Sequence, residues 1–176
     1  IIPSINDDSV IISTTGKTSR ELFEIREDWN QGHERDFLTV GSMGHSLSIA
    51  MGIALAQPDR EVYCIDGDGA LLMHMGGLAI VGSLSPKNLK HIVINNGAHD
   101  SVGGQPTVGF DINIQQIAKA SGYKLTLQAE TKEELLKAMQ TLSNSTELAL
   151  LEVKVNKGAR SNLGRPTIRP IENKKG

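Results

Sequence analysis

Six short apolar runs, rich in β-branched residues, alternate with helix-length segments along the 176 residues. No other feature of this chain narrows its fold so far. Val10–Ser13, Phe37–Val40, Glu61–Ile65, Lys90–Ile94, Lys124–Leu127 and Ala149–Val155 read as strands. Such runs suit a parallel sheet, whose strands are buried on both faces. Between them, Ser19–Asp28, Ser46–Ala56, Leu71–Gly82, Ile114–Ser121 and Lys132–Leu142 read as helices. Pro58 stops the second, and Thr131 with Glu134 forms a capping-box pattern ahead of the last. Leu71–Gly82 is apolar nearly all round, which predicts a helix buried beneath other elements. The expected fold class is α/β: three layers, α/β/α, doubly wound about a six-stranded parallel sheet. Ligands of such sheets sit beyond the carboxyl ends of the strands. The glycine clusters fall there: Gly16, Gly41 and Gly44, Gly67 and Gly69, then Gly97, Gly103 and Gly104.

The length suits one domain, residues 1–176, with an ordinary core. Its net charge of −2 gives no reason to expect nucleic acid as a partner. Residues 157–176 form a basic tail, six Lys/Arg against one Glu, whose simplest reading is a solvated terminus. Cys64 lies inside an apolar run and reads as core rather than nucleophile. No apolar stretch is long enough for a membrane span and no signal-peptide pattern appears, so a cytoplasmic location is expected. The start, Ile1-Ile2-Pro3 without Met, is expected of a piece cut from a longer protein.

Gly16-Lys17-Thr18 follows a strand, but a P-loop needs glycine where Ile11 stands, so that reading fails. What remains is a polar strand end, Thr14-Thr15-Gly16-Lys17, with hydroxyls and an ammonium for an anion. A stronger signal is Asp66-Gly67-Asp68-Gly69. Its glycines let backbone N–H groups approach a ligand at the start of a helix. A carboxylate beside a phosphate repels it unless a cation lies between, and Mg²⁺ bridges carboxylates to phosphates in this way. Asp-Gly alone is equally a turn and a cap. The next strand ends in Asn95-Asn96-Gly97, and adjacent parallel strands bring their carboxyl ends together. An Asn amide oxygen can therefore meet the same cation. A dinucleotide-binding module is the rival, but Gly67-Asp68-Gly69 continues Ala70-Leu71-Leu72 and lacks the third glycine.

Gly67-Asp68-Gly69, twenty-five residues, then Asn95-Asn96 resembles the fingerprint of the thiamine-diphosphate-dependent 2-oxo-acid decarboxylase superfamily. Thr39–His45 resembles that family's pyrimidine loop. The likeness runs from about Val10 to Val155. It implies the thiamine-diphosphate-binding fold, with thiamine diphosphate and Mg²⁺ as cofactors. It further implies Asp68, Asn96 and the carbonyl of Ala98 as metal ligands. The Gly41 carbonyl would meet the cofactor's amino group, and Met43 would wedge beneath the bent cofactor, although a lone Met is more often core. Thr15, Gly16, Gly67, Gly69, Ala70 and Ser101 complete the implied cofactor contacts. The stretch Asn95–Thr107 points to the branch whose 2-oxo acid carries an anionic 3-substituent. The implied reaction converts 3-phosphonopyruvate to phosphonoacetaldehyde and CO₂, with the sulfonate analogue as the alternative substrate. Lys17, Arg160 and Arg165 are candidate substrate cations, and His99 is a candidate acid–base group. His45 and His74 are weaker candidates; His33 and His91 read as surface residues. The family's pyrimidine-binding domain finds no counterpart in this chain. It is expected in the same longer chain or on another subunit, within a homo-oligomer, and the isolated chain is expected to be inactive.

Overall fold

A computed structural model describes residues 1–173, so Lys174 and Lys175 of the basic tail lie outside the described residues. Its frame is a parallel sheet of six strands: β1 (Val10–Ser13), β2 (Asp36–Leu38), β3 (Val62–Gly67), β4 (Leu89–Asn95), β7 (Leu125–Ala129) and β8 (Ala149–Lys154). The strand order is β2-β1-β3-β4-β8-β7. A separate two-residue hairpin, β5 (Ala98–His99) with β6 (Gln105–Pro106), hangs beyond β4.

The helices take both faces. On one, α2 (Ser46–Ala56), α4 (Gly76–Leu84) and α5 (Ile114–Ala120) pack Leu47, Leu78 and Ile114 against Ile12, Cys64 and Val93. On the other, α1 (Lys17–Asp28) and α6 (Lys132–Ser143) pack Leu22 and Met139 against Ile11, Ile65 and Leu151. Successive residues of a strand point to opposite faces, so each strand feeds both layers. The capping box of α6 is formed: Thr131 accepts from the Glu134 N–H, and Glu134 accepts from the Thr131 N–H. No helix among the described residues is long and apolar enough to cross a membrane.

The chain steps from β1 out to β2 and then returns past β1 to β3. Its direction therefore reverses between β1 and β3, which opens a crevice at their carboxyl ends.

Three expectations need correction. The helix expected at 71–82 is two helices, α3 (Asp68–Met73) and α4, parted at His74 and Met75. His74 takes φ −133°, a glycine pair follows, and its ring is drawn off to bond another loop. Nor is this region buried all round, since Met73, Ile80 and Leu84 are more than half exposed. The second strand stops at Leu38, and Val40 stands in solvent at 94% exposure. The third strand runs on through Asp66 and Gly67, so the helix after it starts at Asp68.

Candidate functional site

A cavity of about 460 Å³ occupies the crevice. The ends of β1, β3 and β4 supply its polar wall, and Leu22, Ile25 and Leu135 of the helices supply an apolar one. Thr15, Lys17, Met43, Gly67, Asp68, Gly69, Ala70, Asn96, Ala98, His99 and Ser101 all line it, so one space gathers residues from four loops.

Asp68 is 2% exposed, at the first turn of α3, and its carboxylate accepts a hydrogen bond from the Thr107 hydroxyl. The paired asparagines face opposite ways. Asn95 turns inward and is fully used: its amide donates to the Gly109 carbonyl (2.7 Å) and Glu152 (2.6 Å), and its oxygen accepts from Gly97 N–H (3.1 Å). Asn96 lines the cavity, with its amide donating to Asp100 (2.8 Å) and its oxygen accepting from Ala98 N–H (3.1 Å). Gly109 closes this corner, because a Cβ there would lie 2.8 Å from the Asp68 carboxylate and 2.7 Å from Asn95 Oδ1. Gly69 makes room for His99, whose ring would meet a Cβ there at 2.3 Å. His99 Nδ1 is buried without a hydrogen-bond partner.

The other loops are tied to this corner. Gly16 caps α1 with φ +97° and leaves Ser101 just enough space, since a Cβ there would come within 2.9 Å of Ser101 Cβ. The Thr15 hydroxyl accepts from Gly41 N–H at 3.2 Å. Gly41 itself is exposed, at φ +70°, and is not part of the cavity wall. Met43 is half-buried; its carbonyl pairs with His74 Nδ1 at 3.0 Å, and His45 stacks at a tilt on the His74 ring. His74 thus holds the Met43 loop.

Lys17 lies 3.5 Å from Asp100. The Arg160 guanidinium is bound by Glu21 and Glu24 on α1 and does not reach the cavity wall; Arg165 is exposed and outside it too. Asp100 escaped the sequence reading. One of its oxygens receives Lys17, the Asn96 amide and Gly158 N–H (2.8 Å), which joins the cavity to the segment after β8. Thr107 escaped as well. Both stand inside the stretch 95–107, but no spacing rule marks them out.

His91 is not a surface residue. It sits on β4 beside Cys64 of β3 with no exposure, and burial pushes its pKa down to about 3. Asp66, two residues along β3 from Cys64 and 1% exposed, is pushed up by burial to about 6. Cys64 is core, as expected, and burial raises its thiol pKa well above the usual value. His33 is partly covered, stacked on Phe23 and bonded to Glu27.

The donors at the cavity corner suit a hard divalent cation: a carboxylate, an amide oxygen and a carbonyl. The glycine-lined cradle and the unpaired His99 nitrogen suit a polar ligand beside it. The residues present therefore fit a metal-bound diphosphate.

A family model described as thiamine pyrophosphate enzyme, C-terminal TPP binding domain, matches residues 15–153. The chain is 36% identical over 172 residues to phosphonopyruvate decarboxylase of Streptomyces viridochromogenes, covering 98% of this chain and 42% of that protein. It is 35% identical over 155 residues to sulfopyruvate decarboxylase subunit beta of Methanocaldococcus jannaschii, covering 88% of this chain and 79% of that one. Among solved structures, benzoylformate decarboxylase from Polynucleobacter necessarius superposes with a TM-score of 0.72, at 19% identity, over 90% of this chain and 32% of that one. That likeness speaks for the fold alone. The chain spans about two fifths of the length of the phosphonopyruvate decarboxylases it matches, 42% and 39%.

Proposed function

This chain belongs to the thiamine pyrophosphate enzymes, through their C-terminal TPP binding domain, and from that premise we propose that it holds the diphosphate end of the cofactor in a decarboxylase of 3-phosphonopyruvate. The observation that carries the reading is the gathering of Asp68, Asn96 and Ala98 on one cavity wall, where β3 and β4 end. Asp68, the Asn96 amide oxygen and the Ala98 carbonyl would hold Mg²⁺. Thr15, Gly16, Gly67, Gly69, Ala70 and Ser101 would surround the diphosphate. Bound thiamine diphosphate supplies the nucleophilic carbon and the electron sink that loss of CO₂ from a 2-oxo acid requires.

The chain's own residues then have separate tasks. Asp100 orients Asn96 and holds Lys17 at the mouth of the α1 helix, where the ammonium can pair with a phosphonate. Thr107 fixes the Asp68 carboxylate, as outer-shell partners of metal ligands do. Met43, held through its carbonyl by His74, presents its side chain to the cavity as a steric support. Gly41 N–H anchors its loop on Thr15 and leaves its carbonyl for the pyrimidine. His99 faces the cavity and is the candidate proton carrier.

The pyrimidine-binding domain would come from the rest of a longer chain or from a second subunit, in a homo-oligomer of the whole. The tail cations Arg160 and Arg165 would serve the substrate only if that assembly turned them inward. Coverage of 79% of a separate beta subunit favours a second reading, a two-chain sulfopyruvate decarboxylase.

Both readings meet in one experiment. Turnover of phosphonopyruvate, sulfopyruvate and pyruvate is measured with the complete enzyme, and cofactor binding is titrated with and without Mg²⁺. A preference for phosphonopyruvate and Mg²⁺-dependent binding are expected. Metal-independent binding would refute the bridge, and a preference for sulfopyruvate would move the substrate to the second reading.

A further inference from the structure

We propose that Cys64, Asp66 and His91, with the hydroxyl of Ser46, form a second metal site, for a thiophilic divalent cation such as Zn²⁺. It lies on the sheet face opposite the cavity, and none of the four lines that cavity. The sulfur, a carboxylate oxygen and an imidazole nitrogen all lie within 4.8 Å of one another. The parallel register makes this meeting: Cys64 stands opposite His91, and Asp66, two residues on, points the same way. Ser46, the first residue of α2, comes down on the cluster near both Cys64 and Asp66.

The cluster is buried. Asp66 Oδ2 and His91 Nε2 are buried with no hydrogen-bond partner. A buried polar atom left unpaired in this way is costly to the fold. Asp66 Oδ2 and His91 Nε2 stand 3.9 Å apart, too far for a hydrogen bond. Two ligands of one tetrahedral ion with bonds near 2.1 Å stand about 3.4 Å apart, so a few tenths of an ångström would close the pair on a cation.

The outer partners are in place too. Asp66 Oδ1 accepts from Gly67 N–H at 3.0 Å, which leaves Oδ2 as the free oxygen. Tyr123 O lies 3.2 Å from His91 Nδ1. When Nδ1–H donates to that phenolic oxygen, the Nε2 lone pair faces Asp66, which is how ligand histidines are usually held. Cysteine, histidine, carboxylate and hydroxyl together match zinc rather than Mg²⁺, which takes oxygen. The site is closed, so the ion would enter as the chain folds and would be structural.

The test uses the full-length protein, refolded with Co²⁺ in place of Zn²⁺ and dialysed. About one cobalt per chain should remain at this site, with a thiolate-to-cobalt absorption band in the near ultraviolet. Cys64→Ser should lose the band, and Asp68→Asn, which alters only the cavity corner, should keep it. Failure of the wild type to show such a band, or survival of the band in Cys64→Ser, overturns the site. If Cys64→Ser does not fold, alkylation of the wild-type Cys64 peptide in mild denaturant decides. Zinc should slow the labelling severalfold, and an unchanged rate means that Asp66 and His91 only pack against one another.

Discussion

The two ends of the sheet are built differently. At the amino ends of β3 and β4 the polar groups are saturated. The Asn88 amide donates to three carbonyls, of Ala54 (3.1 Å), Gln57 (3.0 Å) and Arg60 (2.8 Å), which ties the end of α2 and its following loop to the start of β4. Lys90, with no exposure, donates to the carbonyls of Lys87, Ser145 and Glu147. At the carboxyl ends, six glycines, Gly16, Gly41, Gly44, Gly97, Gly103 and Gly104, sit at positive φ with Ser42 at +48°, against Asn30, Ser85 and Gly122 at the amino ends, and His99 keeps an unpaired nitrogen. One end spends its polar groups on holding the chain together, and the other keeps them for something that binds.

The contrast can be broken most sharply at Asp68. Asp68→Ala in the complete enzyme should lower decarboxylation by more than about 100-fold, since loss of an outer-shell partner alone costs 10–100-fold. Its thermal midpoint should stay close to wild type. A collapsed midpoint would make Asp68 part of the scaffold. The mirror experiment is Asn88→Ala, which strands the part-buried carbonyls of Ala54 and Arg60 and should cost about 2–3 kcal/mol in urea unfolding. Its affinity for thiamine diphosphate should be unchanged, and a parallel loss of affinity would show that the two ends are coupled.

His91 lies between the ends and sharpens the comparison through pH. Its pKa falls from 6.5 to about 3 on folding. The unfolded chain then holds the extra proton between those values, so this contribution is full above pH 6.5 and fades as the pH drops towards 3. Asp66, raised to about 6, acts in the opposite sense over its narrower range, from 3.8 upward. In unfolding of the metal-free protein from pH 7 to 4, His91→Gln should therefore lose less stability than wild type; parallel curves would mean that His91 does not set the acid limb. The smallest effect is expected at Lys17. Lys17→Ala should raise KM for phosphonopyruvate about tenfold, the worth of one charge-assisted bond, and leave KM for pyruvate nearly unchanged. Equal rises would assign Lys17 to the diphosphate or to holding Asp100.

Much of this was legible in the sequence because parallel strands announce themselves as β-branched runs. All six sheet strands stand where those runs predicted, within a few residues. That Asp68 and Asn96 would meet at one place was legible because their spacing reflects adjacent strand ends, and both line the cavity. What was hidden depended on distant partners. His91 reads as a solvated strand residue until the register sets Cys64 beside it. The break after Met73 follows from the bond of His74 to Met43, a loop away. Asp100 gains its role from Lys17 and Gly158, and Arg160 loses its expected freedom to Glu21 and Glu24, which lie 139 and 136 residues from it.

The last strand of the sheet is not its edge. β8 lies between β4 and β7, and β7 pairs with β8 alone. During synthesis β7 therefore leaves the ribosome with no sheet neighbour to join. Until residues 149–154 follow it, β4 presents an open edge of apolar backbone. A message cut short before that point would leave β4 and β7 without the strand that joins them. The nascent chain keeps the β4 edge unpaired until β8 emerges, and an unpaired strand edge is what makes a partly made sheet prone to aggregate.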